Sequence, residues 1–191
     1  MLPADFIVLS DTANFDTGIP ALTYQLRGIC SIDVTVQTIA QPVHSGMWGG
    51  PVPDPVQVMC TLIASLQGKK GEIAVPGLYK QVAKTGKSQL QRIRKLPFNE
   101  AKFKREARMM KGMRLAGERG FSVYEQLWTR PSLVVIAFDA RPIKGSSNQI
   151  IDHVTARFSL RTVPNMDAKA AGKAIIDLGA GEPDFDTPKF I

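Results

Sequence analysis

Two segments far apart in the chain alternate apolar and polar residues. In the first, Ile32, Val34, Val36 and Thr38 alternate with Ser31, Asp33, Thr35 and Gln37. In the second, within Asp152 to Arg161, Val154, Ala156, Phe158 and Leu160 alternate with Thr155, Arg157, Ser159 and Arg161. Successive side chains of a strand point to opposite faces, so each segment predicts a strand with one buried and one solvated face. Ser132 to Phe138 predicts another strand, and the apolar run FIVLSD predicts a buried strand that ends at Asp11.

The apolar faces of such strands need a covering layer, and helical periods supply it. Asp54 can accept orphan amide bonds and Pro55 suits a first helical position, so a helix is expected from Pro55, with Val56, Met59, Cys60, Ile63 and Leu66 on its apolar side. Asp167 should cap a last helix, AKAAGKAIID, packed on the same sheet as the first. A helix is also expected from Asn99 to Leu115, with a short one from Ser122 to Trp128. Gln41 to Pro55 is too rich in Gly and Pro for either regular structure and predicts a shaped loop. From Gln67 to about Pro97 the chain reads as exposed loop and short helix, with GEIAVPGLY its best-defined piece. The class is α+β, and 191 residues with 44% hydrophobic content suffice for one domain with a real core.

The net charge of +7 is unevenly placed. Residues 69–119 hold 15 Lys and Arg against four Glu, a local +11, which leaves −4 on the rest. A basic insert of this kind raises nucleic-acid binding as an alternative function, since clustered cations give salt-dependent phosphate affinity. Its few aromatics, Tyr79, Phe98 and Phe103, match no binding motif, and a solvated basic face is the favoured reading. Cys30 and Cys60 lack metal-ligand spacing and are expected to be buried, reduced thiols. With no apolar run near 20 residues and no signal-peptide pattern at the start, the expectation is a cytoplasmic chain without a membrane span.

Three stretches, VLSDTANFDTGIPALTYQLRG, VHSGMWGGPVPDPVQVM and SSNQIIDHVTARFSLRTVPNMD, resemble the M20 metallopeptidases of the carnosine-dipeptidase-like branch. GEIAVPGLY, RKLPFNEAKFKREA and GERGFSVYEQLWTRPSL extend the likeness over about residues 4–173. In that family a two-zinc catalytic domain is interrupted by a lid, a four-stranded antiparallel sheet with two helices on one face in a ferredoxin-like sandwich, through which two subunits dimerise. The resemblance implies that residues 21–173 are the dimerisation or lid domain, containing the basic insert at 69–119. Residues 1–20 would be a remnant of the catalytic domain. It also implies a homodimer, formed through the first strand and helix edges.

The same resemblance assigns residues. Asp11 matches a carboxylate ligand of one catalytic zinc, or manganese in some members. The His-x-Asp motif, the Glu-Glu pair and the late His that complete the metal site are not found in this sequence, so hydrolysis is not expected of the chain alone, and neither is a bound metal. His44, in the HSG motif, corresponds to the lid histidine that stabilises the oxyanion in the partner subunit's active site, and Gly46, Gly49 and Gly50 would let that loop approach substrate. Arg161 corresponds to the arginine that holds the substrate carboxylate, a task suited to a planar two-pronged donor. Asn148 falls where another substrate-contacting polar residue lies, although NQIID has no Pro at its usual place. His153, Arg27 and Tyr24 read as structural. Residues 174–191, IIDLGAGEPDFDTPKFI from Ile175 onward, resemble the N-terminal segment of class I aminotransferases, without a cofactor site.

Overall fold

In a computed structural model, residues 14–16 and 18–179 are described. The opening strand, Asp11 and most of the aminotransferase-like tail lie outside them.

The two alternating segments pair with each other. β1 (Gly28–Gln37) and β5 (His153–Thr162) run antiparallel, with Ile32 opposite Phe158 and Val34 opposite Ala156. β3 (Ser132–Asp139) pairs antiparallel on the other side of β5, giving a three-stranded sheet in the order β1-β5-β3. The two outer strands are therefore parallel to each other with β5 inserted between them, a split β-α-β arrangement. Instead of the expected four-stranded sheet, the described residues form these three strands and a separate two-stranded ladder, β2 (Val43–His44) with β4 (Gln149–Ile150). β4 lies just before β5 in the chain, but its backbone groups pair with the Gly- and Pro-rich loop rather than with the main sheet.

One sheet face is covered by α2 (Pro55–Ser65) and α6 (Ala168–Gly179). Both begin as their sequences dictate. The Asp54 carboxylate accepts the N–H groups of Val56 at 2.8 Å and Gln57 at 3.4 Å, and that of Asp167 accepts those of Lys169 at 2.8 Å and Ala170 at 3.1 Å. Ile32, Val154, Ala156, Phe158 and Leu160 meet Met59, Ala171 and Ile175 in one core. α6 comes so close to β1 that a Cβ on Gly172 would stand 2.7 Å from the Cys30 sulfur. Cys30 is half-buried and Cys60 is exposed, contrary to the expectation of two buried thiols. The α2 stripe is centred on Met59 and Leu66, and Cys60 falls on its solvent edge.

The basic insert contributes more to the core than its polarity suggests. Ile73, Val75 and Leu78 of GEIAVPGLY are buried against the domain core, and Tyr79, in a short 3-10 turn, accepts the Ile73 N–H on its hydroxyl at 3.0 Å. α3 (Lys87–Arg94) and α5 (Val123–Thr129) pack together. The helix expected from Asn99 to Leu115 is only α4 (Glu100–Glu106). It ends in a Schellman motif: Met109 N–H donates to the Lys104 carbonyl at 2.9 Å, Arg108 N–H donates to that of Arg105 at 3.1 Å, and Arg108 is left-handed at φ 53°. Non-glycine residues rarely take this conformation, so composition gave no sign of the stop.

Candidate functional site at the two ends of a central strand

His44 is placed by the small ladder. It ends β2 directly opposite Gln149 and caps the short α1 (Ser45–Trp48), where its Nδ1 accepts the Gly46 N–H at 3.0 Å. With that lone pair engaged, the neutral ring carries its proton on Nε2, which is left as a donor. The imidazole folds so tightly over Gly46 that a Cβ there would lie 2.8 Å from its Cε1 and 3.1 Å from its Nδ1. Asn148 is brought to the same place: its carbonyl accepts the Ser45 N–H at 2.9 Å. Both residues are exposed.

Three neighbours, Arg141, Ser147 and Gln149, carry no signal in the sequence. Arg141 donates to the Gln149 side-chain oxygen at 2.6 Å and to the Ser147 hydroxyl at 3.2 Å. Opposed residues of an antiparallel pair project from the same face, so this polar network flanks His44. Only the pairing of two distant loops reveals it.

Arg161 is not part of this cluster. It lies near the far end of β5, opposite Ile29 on β1 and Ser132 on β3, exposed on the face away from the helices. From His153 to Arg161 an extended strand covers roughly 25 Å. His44 and Asn148 therefore stand at one end of β5 and Arg161 at the other. Arg27 lies near Arg161, with its Nη2 donating to the Ser132 hydroxyl at 2.8 Å and the Arg130 carbonyl at 3.4 Å. Partial burial, and secondarily the charge of Arg161, hold the Arg27 guanidinium below its ordinary pKa.

The other polar candidates have partners. His153 Nδ1 is 3.0 Å from the Asp152 carboxylate. Tyr24 accepts a hydrogen bond from Gln89 at 3.1 Å. The insert's aromatics are also occupied: Phe98 packs against Phe103 and Tyr124, Tyr124 stacks on Trp128, and Phe15 meets both of these rings edge-on. Lys104, Arg105, Arg108, Lys111 and Arg114 line an open groove of about 570 Å³ together with Met109, Met110 and Met113. Among the described residues no three His, Cys, Asp or Glu side chains converge to hold a metal ion. The described donor set does not fit a zinc centre, and Asp11 lies outside it.

The fold is thus α+β, a split βαβ sheet with two helices on one face and a histidine-bearing loop beside it. Residues 24–180 match the family model of the peptidase dimerisation domain, M20_dimer, and the chain belongs to that family. It is 30% identical over 184 residues to the cysteinylglycine-S-conjugate dipeptidase of Corynebacterium striatum, covering 96% of this chain and 38% of that protein. To the Cys-Gly metallodipeptidase of Schizosaccharomyces pombe it is 29% identical over 180 residues, covering 90% and 36%. The crystal structure of human carnosine dipeptidase 1 superposes with a TM-score of 0.65 at 26% identity, covering 81% of this chain and 32% of that one. The chain thus spans little more than a third of the curated relatives it matches. Among the described residues no helix is long and apolar enough to cross a membrane.

Proposed function

We propose that this chain is the dimerisation and lid domain of a metal-dependent M20 dipeptidase or related amidohydrolase, supplying substrate groups to active sites that a catalytic domain completes. The observation that carries the reading is the placement of His44 and Asn148 at one end of β5 and Arg161 roughly 25 Å away at the other. A dipeptide is too short to touch both ends. Two copies related by a two-fold axis can bring His44 of one beside Arg161 of the other.

In this reading the His44 Nε2–H donates to the oxyanion as the tetrahedral intermediate forms, Asn148 adds a polar contact beside it, and Arg161 holds the substrate carboxylate. The metal, zinc or manganese, would polarise the scissile carbonyl and activate water, and belongs to the catalytic domain. Asp11 would be its single ligand from this chain, which alone is inactive. The exposed apolar residues Val134, Val135, Ile136 and Phe138 on edge strand β3 support self-association through that edge, because an unpaired apolar strand edge is a template for another chain. The expected homodimer would then form through β3 rather than through β1.

Sedimentation equilibrium tests the dimer. A mass twice that of the 20.9 kDa chain is expected, and a monomer persisting at about 100 μM, well above typical dimer dissociation constants, would remove the basis of the reading. No dipeptide hydrolysis is expected from the chain with added zinc or manganese, and metal-dependent turnover by it alone would refute the division of labour.

A further inference from the structure

The outer face of the sheet treats its arginines unequally. Arg157 and Arg161 project from the same face of β5. Arg157 is neutralised, with Nε and Nη2 donating to the two Asp33 carboxylate oxygens, each at 2.6 Å. Arg161 has no carboxylate partner among the described residues and has a second cation beside it.

That cation is Arg27. It lies just ahead of β1, and its guanidinium contacts Ser132, the residue opposite Arg161 on β3, which puts it on the Arg161 side of the sheet. The Arg27 Nη2 reaches Ser132 on β3, which lies on the far side of β5, 2.8 Å from its hydroxyl. Neighbouring strands are about 4.8 Å apart, so the side chain must pass across β5 close to Arg161. Its Nε is buried and has no acceptor among the described residues. Two guanidinium groups placed side by side repel, and a buried N–H without a partner costs free energy. A bound anion relieves the repulsion between the two cations, and a planar carboxylate presents two oxygens to the guanidinium donors that remain accessible.

We propose that Arg27 and Arg161 form a two-arginine clamp for the terminal carboxylate of a peptide substrate, with Arg27 donating directly to the anion. The proposal rests on the carboxylate-binding reading of Arg161 given above and adds a second contact residue to it. Ser132 acts as the tether that holds the Arg27 guanidinium across the sheet. The clamp selects against substrates whose C-terminal carboxylate is blocked.

The test is a titration of the full chain with glycylglycine, followed through the Nε–H resonances of Arg27 and Arg161 by two-dimensional 1H–15N NMR, with glycylglycine amide as the control. Both resonances should shift along one binding curve with glycylglycine and remain still with the amide. Arg27→Lys, which keeps the charge but loses the fork, should weaken binding about tenfold, and Ser132→Ala about two- to threefold. If only Arg161 responds and both variants bind as the parent does, the clamp is wrong while the carboxylate reading of Arg161 stands. If neither arginine responds, both readings fall.

Discussion

The backbone N–H of Ser45 donates to the carbonyl of Asn148 at 2.9 Å, joining two loops a hundred residues apart in sequence. This bond extends the ladder in which His44 faces Gln149, and the imidazole is then turned by the Gly46 N–H. Gly46→Ala tests that device. The added methyl would stand 2.8 Å from the His44 ring, so the ring must swing out and lose its bond to the backbone. Because the loop is exposed, thermal stability should change by less than about 0.5 kcal/mol. In the assembled peptidase, kcat should fall by about 10²-fold or more, approaching the effect of His44→Ala, as expected on losing an oxyanion donor. Unchanged kcat would show that the ring orientation is irrelevant.

Separation of the two half-sites along β5 makes an intersubunit prediction. In the complete enzyme, His44→Ala and Arg161→Ala should each abolish most activity as homodimers. When the two variants are mixed and allowed to exchange subunits, a heterodimer has one site with both lesions and one intact site. Random pairing should restore about one quarter of the wild-type sites. Activity that stays at the homodimer level after subunit exchange, verified by mass spectrometry, would place both residues in a single-copy site.

Local signals read well wherever one residue decides the outcome. The caps Asp54 and Asp167, and the alternation that pairs Ile32 with Phe158, were legible because each depends on side-chain chemistry at fixed spacing. The motif around His44 is legible as a resemblance, but the place of the Arg141–Gln149 network beside it is not, since only the pairing of β2 with β4 sets Gln149 opposite His44. Charge masked burial in the insert: Ile73, Val75 and Leu78 enter the core from a stretch dominated by Lys and Gly. The early end of α4 is illegible for a different reason, because an arginine holds a position normally taken by glycine.

That position yields a stability prediction. Arg108 has φ 53° in the Schellman cap of α4, where a Cβ is disfavoured. Arg108→Gly should raise stability by about 0.5–1 kcal/mol, since glycine takes the left-handed conformation without the side-chain penalty. Urea unfolding at neutral pH measures it. A loss of stability would mean that the guanidinium makes a contact worth more than the backbone strain.

Acid sensitivity should centre on Glu125. This residue is 1% exposed, accepts the Ser122 N–H at 2.8 Å in a capping box, and accepts Arg94 Nε at 2.8 Å, fastening α5 to α3. Burial pushes its carboxyl pKa up, but the hydrogen bonds from Ser122 and Arg94 outweigh this and leave it below the ordinary glutamate value. A carboxylate with a lower pKa folded than unfolded stabilises the fold fully above its unfolded pKa of about 4.3, and that contribution fades as pH falls through the folded value. Urea midpoints should therefore decline below about pH 4.5, more steeply for the parent chain than for Glu125→Gln. At pH 7 the substitution should cost about 1–2 kcal/mol, because it removes the charge from a buried hydrogen bond to an arginine while the amide oxygen can still accept from Ser122. Equal pH slopes in the two chains would assign the acid sensitivity to other carboxylates.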